Sequence, residues 1–159
     1  MSTASPVPAS PAGADGRFVI VASRFNEPYV QGLIDHATAE LHRQSAQCSI
    51  TLYRVPGAFE IPVAVRAIAA KKEADAILAI GVILKGQTDH AENLARSVTD
   101  ALQRIALEHG VPVINCVLSL GSEEQARARC LEEKINRGRE GAQAAIEITR
   151  VMAELNAKS

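Results

Sequence analysis

The sequence contains no run of lysine and arginine, and its formal net charge at pH 7 is -1. The lack of a basic run and the slightly negative net charge argue against a surface that binds nucleic acid or acidic membranes, because both partners are attracted by concentrated positive charge. No segment approaches the roughly 18 uninterrupted apolar residues that are needed to cross a bilayer. A small-molecule partner is therefore the first expectation, with neither nucleic acid nor membrane involved.

Cysteine is also scarce, and the three thiols belong to Cys48, Cys116 and Cys130. They form no CxxC pair and have no spacing to histidine that suits zinc, so neither a disulfide framework nor a metal site is indicated. We expect buried or incidental thiols in a reducing compartment. The patterns GxxxxGK[ST] and GxGxxG are missing as well, which removes the usual support for a nucleoside triphosphate or a dinucleotide.

Residues 1–16 are rich in serine, alanine and proline and lack the basic start and apolar stretch of a secretory signal. This composition predicts a disordered N-terminal tail and a cytoplasmic protein. Residues 17–159 are enough for one globular domain with a single core, since 47% of the chain is hydrophobic.

Short apolar runs alternate with segments of helical spacing along this domain. The predicted strands are Phe18–Ala22, Ile50–Val55, Ala76–Leu84 and Val111–Leu118. A helix is predicted after each of the first three strands, and two more are predicted around 122–132 and 138–156. The alternation implies a parallel sheet covered by helices. Because only 3% of the residues are aromatic, a subunit interface that adds buried area would be favourable.

Three segments follow predicted strands at the positions where α/β sheets place their ligand sites. They are Phe25-Asn26, the PGAFEIP sequence at residues 56–62, and the KGQTDH sequence at residues 85–90. Parallel strands bring such segments to one edge of the sheet. An aromatic ring, a carboxylate and a histidine would then meet in one pocket.

The third segment has the clearest chemical character. Gly86 lets the backbone approach a ligand, and the following helix N-terminus favours an anion such as phosphate. Thr88 or Asp89 can cap this helix. His90 then lies in its first turn, where a neutral imidazole could act as a general acid or base. The alternative is a histidine with a capping or surface role.

The other two segments also have two interpretations each. Glu60 can be a favourable partner of a helix dipole, or its carboxylate can bind the polar groups of a ligand. Phe25 can be a core aromatic residue, or its ring can be a stacking surface for that ligand.

Together these residues resemble the 6,7-dimethyl-8-ribityllumazine synthase family over roughly residues 17–156. The markers are Arg24-Phe25-Asn26, PGAFEIP at 56–62, GVILKGQTDH at 81–90, VPVINCVLS at 111–119, EEQARAR at 123–129 and NRG at 136–138. The expected fold is then a flavodoxin-like three-layer α/β/α sandwich with a four-stranded parallel sheet flanked by helices.

The resemblance implies the penultimate step of riboflavin biosynthesis. In this reaction 5-amino-6-(D-ribitylamino)uracil condenses with 3,4-dihydroxy-2-butanone 4-phosphate, phosphate and water are released, and no metal or organic cofactor is required. His90 would transfer protons and Arg129 would pair with the substrate phosphate. The implied substrate-binding residues are Phe25, Asn26, Ala58, Phe59, Glu60, Val82, Ile83, Leu84, Gln87, Thr88, Asn115, Arg129 and Arg137.

The resemblance further implies a homo-oligomer based on pentamers, in which Asn115, Arg129 and Arg137 reach a neighbour's pocket. Pentamer, decamer and 60-subunit shell all remain open, and riboflavin synthase is a candidate partner. Asn115 departs from the family pattern, in which a phenylalanine is frequent at this position. A binding protein without turnover and a shell-forming protein of the same fold are the alternatives to an enzyme.

Overall fold

The computed structural model describes residues 16–157, in which strands and helices alternate. The strands are β1 (Arg17–Ser23), β2 (Ser49–Val55), β3 (Ala76–Leu84) and β4 (Val113–Leu120). The helices are α1 (Glu27–Gln44), α2 (Ile61–Lys71), α3 (His90–His109), α4 (Glu123–Ala126) and α5 (Arg137–Ala157), with a 3-10 turn at Ala58–Glu60 and a π-helical turn at Arg127–Leu131. Apart from Gly16, the tail predicted over residues 1–16 lies outside the described residues.

The strands form one parallel sheet in the order β2-β1-β3-β4. This confirms the predicted four-stranded parallel sheet flanked by helices. Because all the strands run in the same direction, their carboxyl ends lie along one edge, which we call the carboxyl edge. Every segment that follows a strand therefore starts at this edge.

Helices α1 and α5 cover one face of the sheet, and α2 and α3 cover the other. Residues 76–83 of β3 are buried, which explains why this strand is almost continuously aliphatic. Its alternate residues enter the two cores in turn: Ala76, Leu78, Ile80 and Val82 on the α1/α5 side, and Ile77, Ala79 and Ile83 on the α2/α3 side. Within residues 16–157, no helix is long and apolar enough to cross a membrane.

The clearest differences from the sequence prediction are in β4 and in the helix that follows it. Strand β4 starts at Val113 instead of Val111, because pairing with β3 begins at the Ile77–Val113 pair and the preceding Pro112 has no N–H to donate. The helix predicted around 122–132 is a short α4 followed by the π-helical turn. That turn ends where the Glu132 N–H donates to the Arg127 carbonyl.

A buried carboxylate connects α1 to α5. Glu40 is only 5% exposed and accepts hydrogen bonds from Arg43, Gln44 and, on α5, Gln143. The hydrogen bonds from Arg43 contribute most to lowering the pKa of Glu40 to about 2. The carboxylate therefore remains charged in the folded protein over the ordinary pH range, and it joins the two helices that cover one face of the sheet.

We predict that Glu40→Gln lowers the free energy of unfolding by about 2 kcal/mol at neutral pH, because the variant loses a charged acceptor that three donors share. The folded pKa lies below the unfolded value, so the wild-type stabilisation is present above the unfolded pKa and lost as the pH falls toward the folded one. Urea unfolding measured across that pH range should show the difference from wild type shrinking with acid.

The exposed Glu147 on α5 offers a matched control. Glu147→Gln should change the unfolding free energy little at any pH in this range. A difference between Glu40→Gln and wild type that stays constant down to the folded pKa would contradict the assignment.

Candidate active site

The segment after β1 is attached to the strands on both sides of it. The backbone N–H of Arg24 donates to the carbonyls of Val55 and Pro56 at the end of β2, at 3.0 and 3.1 Å. On the other side, the side-chain Nδ2 of Asn26 donates to the carbonyl of Val82 in β3 at 2.7 Å. Phe25 lies between these attachments, so its backbone is held while its side chain projects from the carboxyl edge.

Asn26 makes this arrangement possible through its backbone conformation. It has φ 61° and ψ 45°, the left-handed region that few residues other than glycine and asparagine adopt readily. The turn reverses the chain between β1 and α1 and aims the amide of Asn26 at β3. One residue therefore supplies both the turn and the connection to the central strands.

The ring of Phe25 is 71% exposed, so Phe25 is not a core aromatic residue. Its ring lies against Gly57, where a Cβ atom would come within 3.1 Å of Cδ2. The N–H of Gly57 donates to Oε1 of Glu60 at 2.9 Å. The segments after β1 and β2 thus place an aromatic face beside a carboxylate.

Two other predicted residues of the second segment, Ala58 and Phe59, differ in their exposure to solvent. Ala58 is buried in the α2/α3 core together with Ile83 and Ala91, whereas the ring of Phe59 is 69% exposed. Two exposed phenyl rings therefore stand at the carboxyl edge of a chain that has three phenylalanines in total. Such rings are costly to leave in water and are typical of a surface that a ligand or another chain covers.

The third segment forms the N-terminus of α3. Gln87, Thr88 and His90 are all exposed, and a Cβ atom at Gly86 would meet nothing within 4 Å. The hydroxyl of Thr88 accepts a hydrogen bond from the N–H of His90 at 3.3 Å. Asp89 is at the N-cap position, but its side chain makes no capping hydrogen bond. Of the two predicted capping residues, Thr88 therefore supplies the oxygen.

The end of β3 connects these segments. Val82 and Ile83 have buried side chains, and Leu84 is half-buried at the last position of the strand. Next along the chain, the N–H of Lys85 donates to the carbonyl of Leu120 at the end of β4. The predicted backbone contacts of residues 82–84 thus lie at the same edge as Phe25 and the N-terminus of α3.

Asn115 lies away from this group. It pairs with Ala79 in the sheet, whereas Leu84 and Leu120 form the last pair at the carboxyl edge. Leu84 lies five positions after Ala79 in β3, a distance of about 16 Å at roughly 3.3 Å per residue. The Asn115 amide donates to the hydroxyl of Thr99 on α3. Its oxygen accepts from the N–H of Val117 on the open side of edge strand β4.

Arg129 and Arg137 are also separate from His90 within one chain. Arg129 is half-buried in the π-helical turn, which packs on α1 beside Gly32. Arg137 begins α5 and forms an ion pair with Glu140 at 2.6 Å. Both arginines therefore belong to the helical layer opposite α3. One chain brings together the residues of the first three segments and leaves Asn115, Arg129 and Arg137 elsewhere.

A cavity lies at the opposite end of the sheet. It has a volume of about 770 Å³, and its walls include Phe18, His109, Val111 and Met152. These residues mark the amino ends of strands and the C-terminal ends of helices, so the cavity is remote from the carboxyl edge. In residues 16–157, no group of three or more histidine, cysteine or acidic side chains could hold a metal ion.

Two residues at the carboxyl edge have roles that the sequence pattern did not indicate. Gly57, in the PGAFEIP segment, provides the surface on which Phe25 rests. Arg54 is a charged residue in a predicted strand, directly before the segment that contains Glu60. Its contacts are with Ser23 and Glu27. The charge in a strand was the one sequence signal for this role, and the partners are too distant in sequence to be predicted from it.

Comparison with known proteins gives one consistent result. Residues 15–153 match the family model described as 6,7-dimethyl-8-ribityllumazine synthase. A protein of that name from Halorhodospira halophila is 39% identical over 144 residues, covering 90% of this chain and 92% of its own length. Another from Paraburkholderia phymatum is 39% identical over 140 residues, covering 87% of this chain and 79% of its own.

We predict that Asn26→Ala destabilises the protein by about 2 kcal/mol, because it loses the hydrogen bond to Val82 and places a Cβ without a polar group in the left-handed region. Asn26→Gly loses the same hydrogen bond but tolerates that backbone conformation. Urea unfolding of both variants should give a cost for Asn26→Gly that is about 1 kcal/mol smaller. Equal costs would contradict a contribution from backbone strain.

Proposed function

This chain belongs to the 6,7-dimethyl-8-ribityllumazine synthase family, and we propose how its own residues carry out the reaction. The protein is a transferase of riboflavin biosynthesis that forms 6,7-dimethyl-8-ribityllumazine. Its substrates are a ribitylaminouracil and a butanone phosphate, and phosphate and water are released. The chemistry requires an amine, a ketone and a phosphate leaving group to be aligned while protons are transferred.

The pyrimidine substrate binds against Phe25 in this proposal. The observation that carries it is the exposed ring of Phe25, which rests on Gly57 beside the carboxylate of Glu60. A pyrimidine can stack on this ring and direct its polar edge toward backbone groups. The remaining contacts to the ring and the ribityl chain come from Asn26, Ala58, Phe59, Val82, Ile83 and Leu84.

The phosphate of the second substrate binds at the N-terminus of α3. This helix has 20 residues, and its first N–H groups point toward Gln87 and Thr88 at the carboxyl edge. Such a terminus favours an anion through its unpaired N–H groups and its dipole. The open space beside Gly86 leaves room for the phosphate to approach the backbone.

His90 transfers protons in the proposed mechanism. It begins α3 and is exposed at the same edge as Phe25. Formation of an imine, elimination of phosphate and ring closure each move a proton to or from a reacting atom. A single imidazole that faces both substrates can serve these steps in turn.

The remaining residues reach the site from an adjacent subunit in this proposal. Two observations support it: Asn115 lies about 16 Å along its strand from the carboxyl edge, and Arg129 and Arg137 belong to the helical layer opposite His90. Arg129 would pair with the substrate phosphate through its planar guanidinium. Asn115 would offer a hydrogen bond to the pyrimidine.

We extend the proposal to the assembly and its surroundings. The domain from residue 17 onward forms a homo-oligomer based on pentamers. It acts in the cytoplasm, and riboflavin synthase is the partner that would consume its product. The low aromatic content supports assembly, because a subunit interface adds buried area to a modest core.

We predict that His90→Ala lowers kcat by about 10²-fold, because a general acid or base contributes rate of that order. Formation of the fluorescent lumazine and release of phosphate should be followed together and compared with the uncatalysed reaction. His42→Ala, at an exposed histidine on α1, is the matched control and should keep wild-type kcat. A similar kcat for His90→Ala and wild type would contradict the role of His90 and leave substrate alignment as the source of rate.

We further predict that two impaired variants, His90→Ala and Arg129→Ala, recover activity when they assemble together. In a mixed oligomer of His90→Ala and Arg129→Ala chains, some sites receive both wild-type residues from different subunits. With equal mixing, such sites make up about a quarter of the total, because each wild-type residue is present with even odds. Denaturing and reassembling the mixture should therefore recover about that share of the wild-type rate.

The control is each variant reassembled alone, with the oligomer verified by gel filtration. Mixed oligomers that are no more active than their parents would mean that His90 and Arg129 act within one subunit. A fully active wild-type monomer on gel filtration would also contradict a site between subunits.

A further inference from the structure

Arg54 makes two contacts that span the Phe25 segment. It is the residue before the last in β2, and its Nη2 donates to the backbone carbonyl of Ser23 at 3.1 Å. The same atom pairs with Oε2 of Glu27 at 2.8 Å. The Arg54 side chain is only 15% exposed, whereas that of Glu27 is 51% exposed. A largely buried guanidinium thus reaches from a neighbouring strand to a half-exposed carboxylate.

These two partners bracket the segment that carries the stacking ring. Ser23 is the last residue of β1 and Glu27 is the first residue of α1, so only residues 24–26 lie between them. The backbone of Arg24 and the side chain of Asn26 attach the middle of this segment to β2 and β3. Arg54 contacts both ends of this segment through the same nitrogen, Nη2.

We infer that Arg54 is a positioning residue for the pyrimidine substrate, acting by fixing the backbone from which Phe25 projects. This inference rests on the proposed function of Phe25 as the stacking surface. Arg54 contacts that backbone and not the reacting atoms, so it sets how the ring is presented before the pyrimidine binds. Its loss should weaken binding of the ribitylaminouracil and leave the chemical step and the butanone phosphate largely unaffected.

Arg17 provides a matched control elsewhere on the sheet. It lies at the start of β1, and its guanidinium pairs with Asp75 at 3.0 Å, at the edge opposite the proposed site. Like Arg54, it joins a strand to a carboxylate on a neighbouring segment. Its removal takes an ion pair from the fold without touching the Phe25 segment.

The first test is steady-state kinetics on the assembled enzyme. We expect Arg54→Met to raise KM for the ribitylaminouracil by about fivefold, with kcat and KM for the butanone phosphate within about twofold of wild type. Arg54→Lys should restore most of the affinity, because an ammonium group can still donate to both oxygens. Arg17→Met should change none of these constants. An equal effect of Arg17→Met and Arg54→Met, or a loss in kcat alone, would overturn the inference.

A second test requires no turnover. Hydrogen exchange of the backbone amides of residues 24–27 should accelerate by about tenfold in Arg54→Met without substrates, because an ion pair that closes this segment is lost. Arg17→Met should leave this exchange at the wild-type rate. Unchanged exchange in Arg54→Met would overturn the inference.

The two tests separate this inference from the function on which it rests. Phe25→Ala should raise KM for the ribitylaminouracil if the ring is the stacking surface. If Phe25→Ala leaves that KM unchanged while Arg54→Met accelerates exchange, the stacking role fails, and with it the effect of Arg54 on the substrate. If Phe25→Ala raises KM while Arg54→Met changes neither exchange nor KM, only the inference about Arg54 fails.

Discussion

Parallel pairing around β3 is the constraint on which the rest of this structure depends. β3 is buried on both faces and pairs with β1 on one side and β4 on the other. A parallel sheet requires each strand to be followed by a crossover, so helices must cover both faces. The same requirement sends every strand end to one edge. The candidate site is a direct result, because its three segments are the starts of three crossovers.

The carboxyl edge is held in shape by a few polar contacts over a rigid sheet. Asn26 connects the first segment to β3, Arg54 closes its two ends, and Glu60 holds the backbone of Gly57. These contacts hold the backbone of the segments after β1 and β2, whereas the side chains of Phe25 and Phe59 face solvent. Two phenyl rings and a histidine therefore stand exposed on a well-supported framework, an arrangement that limits the ordering cost of binding a ligand.

In the single chain, Asn115, Arg129 and Arg137 lie away from the other residues of the proposed site. The sheet has two uncovered edge strands, β2 and β4, and Asn115 lies on the second of them at mid-strand. The Asn115 side chain accepts from the N–H of Val117, which reduces the unpaired polar groups of that edge. Residues that the resemblance assigned to a neighbour's pocket lie where a neighbouring chain could meet them. Assembly and catalysis are thus parts of one proposal.

The sequence by itself determined the four strands, the helices α1, α2, α3 and α5, their order, and the three segments that meet at the carboxyl edge. Hydrophobic periodicity is a local property, so the buried β3 and the helices after it were predictable from neighbours in the chain. Helix ends were predictable for the same reason, as with Gly110, which ends α3 at φ 65°.

Only the tertiary structure decided which side chains meet and which remain exposed. The bond from Asn26 to Val82 and the one from Arg54 to Ser23 join residues far apart in sequence, and no local pattern encodes such pairs. The position of the Phe25 ring depends on Gly57 in another loop, because a Cβ atom there would come within 3.1 Å of the ring. The strand register set the distance of Asn115 from the carboxyl edge, because register is fixed by packing across the whole sheet.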